Sequence, residues 1–143
     1  DRIAEMGYQL EMLGEPASCD WSLEKGKSSM AAFLSKYSGQ IDAVYAVDDT
    51  IGNGALQAIQ EDKSGQNDDI KIVSIGGIQV ILDAIKDGKN YYATIYQSPF
   101  IEAPAAMELA SQILAGNMPE EKINPLDTPI ITPDNVDEYG PAY

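Results

Sequence analysis

The chain alternates between two hydrophobic periods. Ile3, Met6, Leu10 and Leu13 recur at helical spacing and Gly14 follows as a stop, so a helix is expected over residues 2–13. Residues 15–19 read as a short extended piece. Ser22 is placed to cap a helix over about 23–37, with Met30, Phe33, Leu34 and Tyr37 on one face. Residues 43–47 are apolar on both alternations, which suits a short strand buried on both sides. Asp48-Asp49-Thr50 opens a helix to about Glu61, with Ile51, Ala55, Ala58 and Ile59 on its stripe. After a polar loop, residues 70–75 form the next buried strand and Gly76-Gly77 makes a turn. Ile78, Ile81, Leu82 and Ile85 mark a helix closed by Gly88. Residues 91–96 are β-branched and aromatic enough for a strand. Pro99 starts a further helix with Ala106, Leu109, Ala110 and Ile113 inward, and Gly116 after it. The proline-rich remainder holds one strand, 129–132, and a turn near Asn135.

Strands and helices alternating at this spacing imply right-handed crossovers. The expected fold class is α/β, a three-layer sandwich with a mostly parallel sheet covered on both faces. Ligands in such folds sit beyond the carboxyl ends of the strands. Those ends are Cys19-Asp20-Trp21, Asp48-Asp49, Gly76-Gly77 and Gln97-Ser98.

Trp21, the only tryptophan, stands at one of these junctions. Its indole is either a flat platform for the C–H face of a sugar ring or a cover for the end of the sheet. Asp48 and Asp49 are adjacent and cannot point the same way. One caps the following helix while the other projects above the sheet, where a carboxylate accepts two hydroxyl hydrogen bonds. Asp48 is the candidate for a site; Asp49 reads as cap or surface. Gly76-Gly77 permits close backbone approach but lacks the spacing of a dinucleotide or phosphate loop. Gln97 offers a donor and an acceptor at another strand end. Met6, Met12, Met30 and Met107 fall at core spacing.

Composition narrows the function. Twenty-three acidic residues against nine basic ones give a net charge of −14, which repels nucleic acid and anionic lipid. Histidine is absent, which removes Ser-His and Cys-His catalysis and His-ligated metals. A single cysteine, Cys19, excludes an intrachain disulfide framework and a multi-cysteine zinc site. No metal or cofactor is implied. No run approaches the roughly 20 apolar residues of a membrane helix. The chain begins at Asp1 inside what reads as a helix, so a processed or excised piece is expected.

As an ordered set these segments resemble the type I periplasmic sugar-binding proteins of ABC transporters, of the ribose- and galactofuranose-binding kinds. The resemblance lies in Ile41-Asp42-Ala43-Val44-Tyr45-Ala46 leading to Asp48-Asp49, then Gly54-Ala55-Leu56-Gln57-Ala58-Ile59. It continues in Ile70-Lys71-Ile72-Val73-Ser74-Ile75-Gly76-Gly77, in Ala84-Ile85-Lys86-Asp87-Gly88, and in Ala93-Thr94-Ile95 with Gln97 and Pro99. The closing phrase is Pro129-Ile130-Ile131-Thr132-Pro133-Asp134-Asn135-Val136.

The resemblance implies a non-enzymatic sugar receptor closing about a hinge, of which this chain is the C-terminal half. Residues 1–96 would then be the C-terminal sugar-binding lobe. Residues 97–127 would belong with the missing N-terminal lobe, and 128–143 would form a return strand and tail. It implies a site of Trp21, Asp48, Gln97 and Gly76. The family usually carries Asp where this chain has Gly76, so the ligand would be gripped without that carboxylate. The implied partners are a small sugar and a membrane permease, with an extracytoplasmic location, in the periplasm or lipid-anchored at the cell surface. With its own lobe missing, helix 99–115 would be exposed, rearranged, or buried by self-association with another copy. The effector domain of a LacI-type repressor shares the fold and is the alternative reading.

Overall fold

The computed structural model describes residues 5–121 and 123–143. Their strands form one sheet in the order β1-β2-β3-β4. Strands β1 (Ala43–Tyr45), β2 (Lys71–Gly76) and β3 (Tyr91–Tyr96) run parallel, and β4 (Ile130–Ile131) pairs antiparallel with β3. Helix α1 (Leu23–Lys36) precedes β1, α2 (Asp49–Glu61) links β1 to β2, and α3 (Gln79–Asp87) links β2 to β3. Helix α4 (Pro99–Leu114) follows β3, and a 3-10 turn (Val136–Glu138) follows β4. The α/β class and the mostly parallel sheet are as expected.

The elements carry their own punctuation. Ser22 Oγ accepts from Lys25 N at the start of α1, and Gly88 closes α3 in the left-handed conformation. Because the three parallel strands lie in chain order, right-handed crossovers place α2 and α3 on the same face. Helix α1 joins that layer by packing on α2. The core lies between helices and sheet: Met30, Leu34, Leu56, Ile59, Ile72, Ile81, Leu82, Ile85, Tyr91 and Ile131.

The opposite face departs from expectation. Strand β1 is not buried on both sides: it is an edge strand, and Tyr45 is 63% exposed. The helix expected over 2–13 does not run to its expected end: Glu5 is helical, but residues 8–13 hold no helix and Met6, Leu10 and Met12 are exposed. Arg2 and Ile3 lie outside the described residues. A helix this short is marginal without a surface to bury its stripe against. Met107 is exposed for a similar reason, because α4 has no buried residue. Of the four methionines expected in the core, Met30 alone is there.

Tyr91 makes a pH prediction. Its ring is buried and its hydroxyl donates to Ser74 Oγ at 2.8 Å. Burial above all pushes this phenol up, and the charges of Asp49 and Asp48 add to it, against the opposing hydrogen bond with Ser74. A folded-state value above the unfolded one means that its contribution is complete below about pH 10 and lost as pH rises. Stability should fall above about pH 10, with Tyr91 contributing up to about 1.4 kcal/mol per pH unit. Urea denaturation between about pH 9 and 11 checks this: Tyr91→Phe should show the shallower decline, and equal slopes would refute it.

Candidate functional site

Three of the four candidate residues share the carboxyl edge of the parallel strands. Asp48 follows β1 and caps α2: its Oδ1 accepts from Thr50 N at 2.7 Å and Ile51 N at 3.3 Å. Its Oδ2 accepts no hydrogen bond among the described residues. Gly76 ends β2, and its carbonyl accepts from Gln97 N at 2.8 Å just after β3. The Gln97 side chain is exposed.

Trp21 flanks this edge. A turn closed by Ser22 N donating to Cys19 O at 2.8 Å carries Asp20 and Trp21 into α1. Both have left-handed backbone, with φ of 45° and 58°. That region is costly for a bulky side chain, and such strain persists only where neighbours hold it. Lys25 pairs with Asp20, and Ser18 Oγ donates to Asp20 at 3.2 Å. The Lys25 hydrogen bond, its charge and the Ser18 bond hold the Asp20 carboxyl below the usual range. The indole itself is 70% exposed, so it does not cover the end of the sheet. Its placement follows from helix packing. A Cβ on Gly26 would lie 3.1 Å from Ile51 Cα, so the first turns of α1 and α2 touch. The turn that carries Trp21 therefore leads into a helix whose first turn touches the one that Asp48 caps.

Asp49 corrects the sequence reading. It is neither cap nor surface but fully buried. Its Oδ1 accepts from Thr94 Oγ1 at 2.8 Å and also from Ser74 Oγ, while Oδ2 accepts from Gly77 N at 2.5 Å and Ile78 N at 2.9 Å. The carboxylate thus ties the start of α2 to β2, β3 and the turn into α3. It also explains Gly76, whose φ is +152° and where a Cβ would meet Asp49 Oδ2 at 2.6 Å. A sequence signal existed: Ser74 and Thr94 are hydroxyls inside apolar strands, and buried hydroxyls demand partners.

This edge offers an open carboxylate oxygen, a primary amide, a close-packed glycine turn and an exposed indole. Those groups suit hydroxyl recognition and aromatic stacking. Among the described residues no group of acids and cysteine is arranged to hold a metal. The edge is an open face. A cavity of about 410 Å³ lies at the other end of the sheet, between Asp62, Asp68, Lys71 and Asn90.

Comparison with known proteins places this architecture. A family model described as a periplasmic binding protein domain matches residues 1–118. A xylitol-binding protein of Mycolicibacterium smegmatis is 34% identical over 121 residues, covering 84% of this chain and 33% of the relative. The galactofuranose-binding protein YtfQ of Escherichia coli is 32% identical, covering 85% of this chain and 38% of the relative. Among solved structures, the periplasmic component of an arabinose ABC transporter from Shewanella sp. ANA-3, bound to arabinofuranose, superposes with a TM-score of 0.65. It is 32% identical and covers 82% of this chain and 38% of that one. The chain spans about a third of the length of the curated relatives it matches. Since the family model takes in most of its residues, and relatives more than 30% identical match over four-fifths of it, the chain belongs to the type I periplasmic binding protein family.

Proposed function

We propose that this chain supplies one lobe of a sugar receptor of an ABC transporter, holding a small sugar or polyol at the carboxyl edge of its sheet. The observation that carries this reading is the grouping of Asp48, Gly76 and Gln97 on one edge, beside a strained and exposed Trp21. The relatives support the ligand class: they are binding proteins for xylitol, fructose, galactofuranose and ribose. The repressor alternative is not favoured, because these relatives are import and binding proteins.

Trp21 stacks on the ligand, Asp48 accepts from its hydroxyls through the open Oδ2, and Gln97 donates and accepts beside it. Gly76 offers its backbone at this edge, because Asp49 already fills the place of a side chain there. Closure of a second lobe over this face would exclude water and complete the site. Helix α4, with Phe100, Met107 and Leu114 exposed, belongs in this reading to residues 97–127 that pack with the second lobe. Residues 1–96 form the sugar-binding lobe and 128–143 the return strand and tail. The receptor works outside the cytoplasm, does no covalent chemistry and delivers its ligand to a membrane permease. Among the described residues no helix is long and apolar enough to cross a membrane.

Calorimetric titration of the full-length gene product with xylitol, D-ribose, L-arabinose and D-galactose tests the reading. At least one should bind, and it should quench or shift the part of the tryptophan emission that Trp21→Ala removes. Trp21→Ala should then weaken binding by about 1–3 kcal/mol. Unchanged affinity would remove the indole from the site, and no binding by any member of the panel would sink the reading.

A further inference from the structure

After the 3-10 turn the chain returns to the carboxyl edge of the sheet. Ala142 is fully buried there. Its N–H donates to the Gly77 carbonyl at 2.8 Å, and Ser98 Oγ donates to its carbonyl at 3.1 Å. Gly77 and Ser98 directly follow Gly76 and Gln97, so the tail is tied to both junctions of the candidate site. Two features show that the junctions are built to receive it. Ser98 occupies the N-cap position of α4, yet its side chain makes no capping bond and is committed to the tail. Gly77 has φ +98°, and a Cβ there would lie 3.3 Å from the Ala142 Cβ and 2.7 Å from the Tyr96 ring.

This anchor delivers Tyr143 to the edge with its ring 62% exposed. The geometry that places Tyr143 here is the anchoring of its neighbour Ala142 to Gly77 and Ser98; partial burial, then the charges of Asp48 and Asp49, push its phenol up. The edge otherwise offers a carboxylate acceptor and an amide. A sugar hydroxyl that donates to Asp48 keeps lone pairs free, and a neighbouring O–H donor satisfies them.

We propose that Tyr143 is a further ligand-contacting residue, its hydroxyl donating to a ligand hydroxyl that Asp48 accepts from. The proposal rests on the sugar-receptor reading above.

The test is calorimetry of the full-length gene product and of its Tyr143→Phe and Tyr143→Ala variants with xylitol, D-ribose, L-arabinose and D-galactose. Because the ring is largely exposed, melting of the ligand-free protein should be unchanged in both variants. For the sugar that binds, Tyr143→Phe should weaken affinity about five- to tenfold and Tyr143→Ala at least as much. Both variants within twofold of the parent would overturn the assignment of Tyr143 while leaving the receptor reading intact. Loss in the alanine variant alone would overturn the role given to the hydroxyl. If the parent binds none of the four sugars, the receptor reading falls and Tyr143 with it.

Discussion

Asp49→Ala should lower the unfolding free energy by about 3–5 kcal/mol, the range for breaking a buried charged network. The carboxylate is wholly buried and its charge is met by hydrogen-bond donors. Removing it strands the hydroxyls of Ser74 and Thr94 and the amides of Gly77 and Ile78. The two amides sit in a turn fixed by its neighbours, so they cannot swing toward other acceptors. Asp49→Asn keeps the shape but turns an NH2 toward donors, and it should be nearly as costly. Urea denaturation reads both, and a loss below about 1 kcal/mol in each would contradict the network. A double-mutant cycle sharpens the result. Gly76→Ala places a Cβ 2.6 Å from Asp49 Oδ2, so its cost should shrink once Asp49 is alanine.

Asp49 also marks where sequence reading stops. Helices α1 to α3 are legible because Ser22, Asp48 and Gly88 announce their ends, and the strands because short apolar runs separate them. That Asp48, Gly76 and Gln97 share one edge follows from a parallel sheet alone. Which of two adjacent acids turns inward does not, because it depends on Ser74 and Thr94 arriving from strands 25 and 45 residues away in sequence. Exposure was the other blind spot. The stripes of residues 2–13 and of α4 are helical by period, yet period says nothing of what covers a stripe. With no element over them among the described residues, Leu10, Met12, Met107 and Tyr45 face solvent. Pattern put Trp21 at a junction but left open whether its indole is exposed. Its exposure comes from two consecutive left-handed residues that no propensity would assign to tryptophan.

Gly54→Val should destabilise the chain by about 3 kcal/mol or more, above the common range for overpacking. Helices α1 and α2 meet at their first turns through glycine on both sides. A Cβ on Gly54 would strike the Leu23 carbonyl and stand 2.7 Å from Lys27 N; one on Gly26 would stand 3.1 Å from Ile51 Cα. These obstacles are backbone atoms of a helix, so no rotamer change makes room, and α1 must move as a body. That motion would carry Trp21 away from Asp48 as well. Two readouts therefore shift together: the urea midpoint falls, and the tryptophan emission of the folded state changes. Gly65→Val is the control. Its Cβ meets nothing within 4 Å but its φ is +69°, so it suffers left-handed strain without a clash. If Gly54→Val costs no more than that control, the two helices are not held by close backbone contact. The juxtaposition of Trp21 with Asp48 would then lose its structural basis.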